Sequence, residues 1–430
     1  MKYAHFVILL CVASFAPRPS YAQAVRNLTL QDAEKIAVQN HPQIQAATYF
    51  ASAAQARVKE ARSAYYPQAY GSLTGVTAEH NSRIAAGGLN NPVIYDRYAN
   101  GVTVGQLVTD FGRTHELVKS SDLHAKAQQE NIVNTRAGVL VRVDQAYFRV
   151  LKAQAVLQVA QETVKDRQLV ADQVAALAKN NLKSGLDMSF ANVDLAQAQL
   201  LLVQAQNDLQ ASFADLSAAM GYSDQQIFAL AEEPLPPAPP SDLSDLIREA
   251  LQNRPELISQ QLDVNSAKSY ATAERDLWLP TISAVGAAGL TPYHQDDLIA
   301  PRYAAAGFNV NIPLFNGHLF GALRSEANSE ASAQEQNLRD LQNRIVLDVR
   351  KAWLDANSAF QRLSLTDQLL HQAAQARDLA QERYKLGLSS IIEFSLAQLN
   401  MTQAEIANAS AKYDYEAQFS ALNYQVGRLK

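Results

Sequence analysis

Residues 143–171, VDQAYFRVLKAQAVLQVAQETVKDRQLVA, decide the architecture. Val143, Val150, Leu157, Val164 and Ala171 recur every seven residues, Ala178 extends the row, and Ala146, Ala153 and Ala160 follow three positions on. A second stretch repeats the pattern with Val349, Ala356, Leu363, Leu370, Arg377 and Tyr384, accompanied by Ala352, Ala359, Ala373 and Ala380. A seven-residue recurrence sustained over this length predicts a coiled-coil seam, and alanine beside it permits close helix approach. Arg113 to Lys183 holds no proline and one glycine, Gly138. At about 1.5 Å per residue such a helix extends roughly 100 Å, well beyond a compact domain. The other faces carry Gln, Asn, Asp and Ser, which suit water or a hydrated lumen; a solvated bundle without a lumen would share this periodicity.

Outward from the seam, the chain reads as two copies of one unit. Leu30…Ala37…Asn40-His41-Pro42 recurs 213 residues later as Leu243…Ala250…Asn253-Arg254-Pro255, and Tyr65-Tyr66-Pro67 as Trp278-Leu279-Pro280. Phe111-Gly112 is echoed by Asn316-Gly317, Val143…Ala146-Tyr147 by Val349…Ala352-Trp353, and Gly221 by Gly427. Lys183-Ser184-Gly185-Leu186 is matched to Lys385-Leu386-Gly387-Leu388, with each Gly-Leu expected to turn between antiparallel helices. The expected organisation is a signal at 1–24, a first repeat at 25–231, a connector at 232–242 and a second repeat at 243–430. The connector holds five of the 15 prolines, so it is extended, either docked across the body or a stiff linker. Ser241 is the expected N-cap of the helix that follows.

Each half orders as helix, strand, strand, long helix, helix. Strands are expected at about 68–77 and 101–110, and at about 281–290 and 303–314. Phe308-Asn309-Val310-Asn311-Ile312 alternates most cleanly. Glu79–Tyr98 and Thr291–Arg302 read as polar surface loops. Four strands with an apolar face leave two open edges and cannot close a barrel alone. They either pack on helices or are completed by further chains.

Composition excludes several classes. The 430 residues carry 37 Lys+Arg against 42 Asp+Glu, a net charge of −5, which gives no electrostatic footprint for nucleic acid. The 48% hydrophobic content argues against disorder. The single cysteine, Cys11, excludes a disulfide scaffold and falls in a leader: Lys2, an apolar run from Phe6 to Phe15, then small residues near Ala22 and Ala24. Removal takes two basic residues, Lys2 and Arg18, and leaves a mature chain without cysteine. No later run is long and apolar enough for a transmembrane helix.

Chemistry is sparse. The histidines show no metal-ligand spacing, and no nucleophile elbow, Walker A or dinucleotide fingerprint occurs. Glu393, Asp187 and Asp194 lack a base, an orienting group or an oxyanion donor, so neither an enzyme nor a cofactor is expected.

A leader, duplicated halves, paired period-two strands and long heptad helices with Gly-Leu tips together resemble the TolC-like outer-membrane efflux channel family. The resemblance implies a mainly α fold with a membrane β-barrel portion: a homotrimer whose protomers give four strands each to a 12-stranded barrel in outer-membrane lipid, above an α-helical periplasmic tunnel. It implies an exit duct of a tripartite export system, passing small molecules or secreted protein, with a periplasmic adaptor and an inner-membrane transporter as partners. Ser184, Gly185 and Leu186, with Leu386, Gly387, Leu388 and Ser389, match the tips that adaptors contact. Tyr384 and Glu393 match the periplasmic gate, but Leu396 stands where that gate has a second acid and Ser389 where it has an arginine. The alternative is a periplasmic coiled-coil adaptor, which carries one helical hairpin rather than a tandem duplication.

Overall fold

A computed structural model describes residues 27–79, 96–294 and 301–429; the expected signal lies outside them. The first half runs β1 (Asn27–Leu28), α1 (Leu30–Asn40), α2 (Pro42–Arg62), β2 (Gln68–Val76), β3 (Arg97–Thr109), α3 (Arg113–Lys179) and α4 (Gly185–Ala219). After β4 (Ala229–Leu230), the second half runs α5 (Leu243–Asn253), α6 (Pro255–Arg275), β5 (Thr281–His294), β6 (Arg302–Asn311), α7 (Leu319–Lys385) and α8 (Ile391–Val426). Local chemistry sets these limits. Thr29 caps α1 by accepting from the Asp32 amide at 3.2 Å, and Pro42 and Pro255 occupy the first turns of α2 and α6, where proline forfeits no helical bond. Asp242, not Ser241, caps α5: its carboxylate accepts from the Ser244 amide at 2.7 Å.

Two strands extend further than the sequence suggests, β3 at its start and β5 at its end, while β6 stops at Asn311, short of the expected 314. Arg97 and Tyr98 belong to β3, and residues 291–294 to β5, both in stretches expected to be loop. The order is β2-β3-β5-β6, antiparallel throughout, with β2 and β6 as free edges. The register sorts the side chains. One face carries Ala69, Leu73, Val102, Val104, Ile282, Ala284, Phe308 and Val310; the other carries Gln68, Ser72, Thr103, Ser283, Asn309 and Asn311. The apolar face lies open, with Phe308 77% exposed. An uncovered apolar face on a sheet is stable against lipid, not against water. On the polar face Gly101 pairs with Gly289 and Gly289 with Tyr303. The Tyr303 phenol fills the space above both glycines: a Cβ on Gly101 would lie 2.1 Å from its hydroxyl oxygen.

Below the sheet, α3 and α7 are 67 residues each. In α7 the expected rows are buried at Val349, Ala352, Ala356, Ala359, Ala373, Ala380 and Tyr384, while Leu363, Leu370 and Arg377 are only half-buried. In α3 the rows hold in part: Val143, Ala146, Val150, Ala160 and Ala171 are buried, Ala153, Leu157, Val164 and Ala178 are only half-buried, and Arg167 and Val174 continue the alanine row. A straight α-helix drifts about 20° per heptad, so the face that meets its neighbours rotates along so long an element.

The proline-rich connector is docked, which resolves the alternative left open above. β1 and β4 pair in parallel at its start. Tyr147 of α3 shares its hydroxyl proton between the carbonyls of Leu28 and Ala231, at 2.8 and 2.6 Å. Trp353 Nε1 donates to the Pro240 carbonyl at 2.7 Å, Tyr413 to Glu232 at 2.6 Å, and Tyr415 to the Pro237 carbonyl. Proline removes backbone donors but keeps carbonyls, so this strap is held by aromatic donors on α3, α7 and α8.

Candidate functional site: the helical tips

The end of the molecule away from the sheet is formed by two tight turns, α3 to α4 and α7 to α8. Both end the incoming helix alike. Leu182 N donates to Leu177 O at 2.9 Å and Leu388 N to Arg383 O at 2.8 Å, each closing the last turn over a left-handed residue. That residue is Asn181 (φ 58°) in the first turn and Gly387 (φ 74°) in the second. Both outgoing helices start on a serine. Ser184 accepts from the Asp187 amide at 3.1 Å while its own amide donates to the Asp187 carboxylate at 2.9 Å, a reciprocal cap. Ser390 accepts from the Glu393 amide at 3.3 Å.

This geometry corrects the expected match between the tips. Gly185 makes no left-handed turn: it is the first residue of α4. The equivalent positions are Asn181 with Gly387, Ser184 with Ser390 and Asp187 with Glu393, all 206 apart, as are the starts and ends of α3 and α7. Shared Lys and Gly-Leu letters suggested a register four residues off. The pairs Ser184-x-x-Asp187 and Ser390-x-x-Glu393 are the signal that fixes it.

Leu186 is 62% and Leu388 67% exposed, with Leu386 also exposed, so both tips present apolar side chains. The Ser389 hydroxyl is buried without a hydrogen-bond partner within the protomer. Tyr384 is buried, stacked on Phe394 with centroids 5.6 Å apart, and Lys183 of the other tip lies 3.8 Å above its ring. Its hydroxyl lies near the Asp187 carboxylate but meets no hydrogen-bond geometry among the described residues. Burial and the nearby Asp187 charge push that hydroxyl up to about 12. Asp187 itself is held below the usual carboxylate range by Ser184. The structure thus ties the two hairpins together through Lys183, Tyr384 and Phe394, and a buried cluster of Ala171, Val174, Ala191, Ala380 and Ile391 continues the contact. Glu393 stays apart from that cluster, in the first turn of α8, with Arg383 at 3.4 Å. Leu396 is exposed.

Further along, two links absent from the sequence reading join the hairpins. Ser395 of α8 donates to Asp194 of α4 at 2.5 Å, and Arg167 of α3 donates to the Gln398 carbonyl at 2.9 Å and to Thr402 at 3.2 Å. Arg167 and Phe394 carry no motif, and Lys183 stands out only as part of the Gly-Leu landmark; the tertiary fold alone brings Lys183 over Tyr384 and Arg167 to α8.

An open-edged sheet with one lipid-compatible face, set on paired helical hairpins much longer than any compact domain, defines a protomer of a barrel-and-tunnel channel. The chain belongs to the outer membrane efflux protein family, whose model matches residues 35–222 and 246–428. Outer membrane efflux protein BepC of Brucella suis is 24% identical over 335 residues, 76% of this chain and 72% of the relative. Alkaline protease secretion protein AprF of Pseudomonas aeruginosa is 23% identical over 415 residues, 94% of this chain and 85% of the relative. The solved structure of the outer membrane protein VceC from Vibrio cholerae matches with a TM-score of 0.79 at 17% identity, covering 93% of this chain and 96% of that one. The TolC-like reading of the sequence therefore holds in its fold class, its outer-membrane location and its role in export, and the family is one of channel and transport proteins.

Proposed function

We propose that three copies join the β2 edge of one to the β6 edge of the next, forming a 12-stranded barrel in outer-membrane lipid above a helical tunnel through the periplasm. Through this duct pass small molecules, such as drugs and toxic compounds, or secreted protein, delivered by an inner-membrane transporter. A periplasmic adaptor docks on Ser184, Gly185 and Leu186 and on Leu386, Gly387, Leu388 and Ser389, where the exposed leucines offer apolar knobs. Tyr384 and Glu393 form the narrow periplasmic end, three Glu393 carboxylates giving a negative ring that favours cations. With Arg383 beside each Glu393 and Leu396 in place of a second acid, that ring is weaker than a double one.

One observation carries this reading: the four-stranded sheet exposes its apolar face and leaves both edges unpaired. A periplasmic adaptor, the competing reading, has no use for such a sheet. The test is planar-bilayer recording of the purified protein. Discrete, long-lived current steps are expected, with Glu393→Gln less cation-selective; a folded protein that inserts without conducting overturns the proposal.

A further inference from the structure

Beneath the strap, where α1, α3 and α8 meet, lie acidic groups for which an export duct has no evident use. Asp144 on α3 is 3% exposed and Glu416 on α8 is 2% exposed. One Asp144 oxygen accepts from the Ser420 hydroxyl of α8, and the other is buried against the carboxyl of Glu34 on α1, to which a protonated Asp144 can donate. Among the described residues, neither oxygen of Glu416 has a hydrogen-bond partner. Glu416 and Ser420 stand one turn apart on α8, and Asp144 and Tyr147 one turn apart on α3, so the two acids occupy successive levels of a single interface.

The surroundings make matters worse for a charge. Glu34 of α1 faces Asp144, with Arg136 of α3 and Glu233 of the strap acting on Glu34. Glu416 faces Glu232 and Glu233 of the strap, Lys412 and Tyr413 of its own helix, and Tyr147 of α3. Lys412, the cation nearest Glu416, is already bound to Glu232. Both acids are enclosed by their own chain, so a neighbouring copy cannot reach them. An unpartnered carboxylate in such a place is far costlier than the neutral acid.

We propose that Asp144 and Glu416 are a proton-loaded lock: as neutral acids they let α3, α8 and the strap close together, and their ionisation at alkaline pH loosens the strap. Burial pushes Glu416 up to about 7, and raises Asp144 and Glu34 as well. The sign follows. A carboxyl raised in the folded state binds its proton more tightly there than in the open state. Its contribution is complete below the ordinary carboxylate range and is lost as pH climbs through the folded value near 7. The strap joins the two repeats and also holds β1, so the lock sets how firmly the two halves are bound together.

The experiment is hydrogen–deuterium exchange of the detergent-solubilised full chain at pH 5.5 and pH 8.5, corrected for the intrinsic pH dependence of exchange. The readout is protection of the strap amides from Ala229 to Leu235. Protection in the wild type should fall about tenfold or more at the higher pH. The Asp144→Asn, Glu416→Gln double variant, shaped like the neutral acids, should keep the acid-side protection at both. Glu416→Gln alone should remove a clear part of the fall. Equal wild-type protection at the two pH values overturns the lock, as does an undiminished fall in either variant.

Discussion

The proposed gate makes Tyr384 the side chain on which closure of the tip depends, and two substitutions separate its ring from its hydroxyl. The ring is buried, stacked on Phe394 at 5.6 Å and 14°, and covered by the Lys183 ammonium at 3.8 Å. Tyr384→Ala deletes all of these contacts. Truncating a buried aromatic costs about 3–5 kcal/mol, a stacked pair adds about 0.5–1.5 and a cation over a ring about 0.5–1, in overlapping contributions. If only about 3 kcal/mol of this is specific to the closed tip, the closed-to-open ratio falls more than a hundredfold, since each 1.4 kcal/mol is a factor of about ten. Tyr384→Phe keeps the ring and removes a hydroxyl that, among the described residues, meets no hydrogen-bond geometry and only lies near Asp187, so its expected effect is near zero. Single-channel conductance in planar bilayers is the assay. The alanine variant should conduct several-fold more than wild type, and the phenylalanine variant should match wild type. If Tyr384→Phe opens the channel as far as Tyr384→Ala, the hydroxyl's bond to a neighbouring protomer closes the tip, and the packing argument fails.

Three further outcomes are expected. Tyr147→Phe strips the shared proton from the Leu28 and Ala231 carbonyls and should lower stability by about 1–3 kcal/mol in chemical denaturation; no change would mean that the strap is held elsewhere. Gly101→Ala places a methyl on the Tyr303 phenol and should lower the temperature at which the assembly dissociates. Tyr303→Ala in the same chain should recover part of the loss, and failure to do so would remove Tyr303 as the cause. Leu186→Asp combined with Leu388→Asp should abolish export in cells while the assembly stays intact in detergent; surviving export would place adaptor docking away from these tips.

Much of the fold was legible because its signals are periodic. Val349, Ala352 and Ala356 are buried as their spacing requires, and Phe308 and Val310 share a sheet face as their alternation requires. Where the signal was a single letter it misled. The Gly-Leu pairs set the tips four residues out of register, because Asn181 also tolerates the left-handed conformation and leaves Gly185 free to begin α4. Between a docked strap and a stiff linker the sequence could not decide, since the strap's acceptors are backbone carbonyls and its donors lie on three distant helices. At the tips, the sequence brought out Leu186, Leu388 and Tyr384, which the structure places at exposed and buried positions of the two turns. It missed Lys183 over Tyr384 and Arg167 against Gln398, because a lone cation in a turn or on a long helix ordinarily faces water.

The central claim is that neighbouring copies complete one another's sheets, and disulfide formation across the free edges tests it most directly. The expected mature chain has no cysteine, as Cys11 falls in the leader. Ser72→Cys on β2 is combined in turn with Ala305→Cys, Gly307→Cys or Asn309→Cys on β6, all on the polar face. Within one protomer, β2 and β6 are separated by two strands, about 14 Å across three spacings, too far for an internal bridge. One of the pairs is expected to give a reducible three-chain species on denaturing gels. Chains that stay monomeric for every pair, in a protein whose native mass in mild detergent is that of one copy, would contradict it.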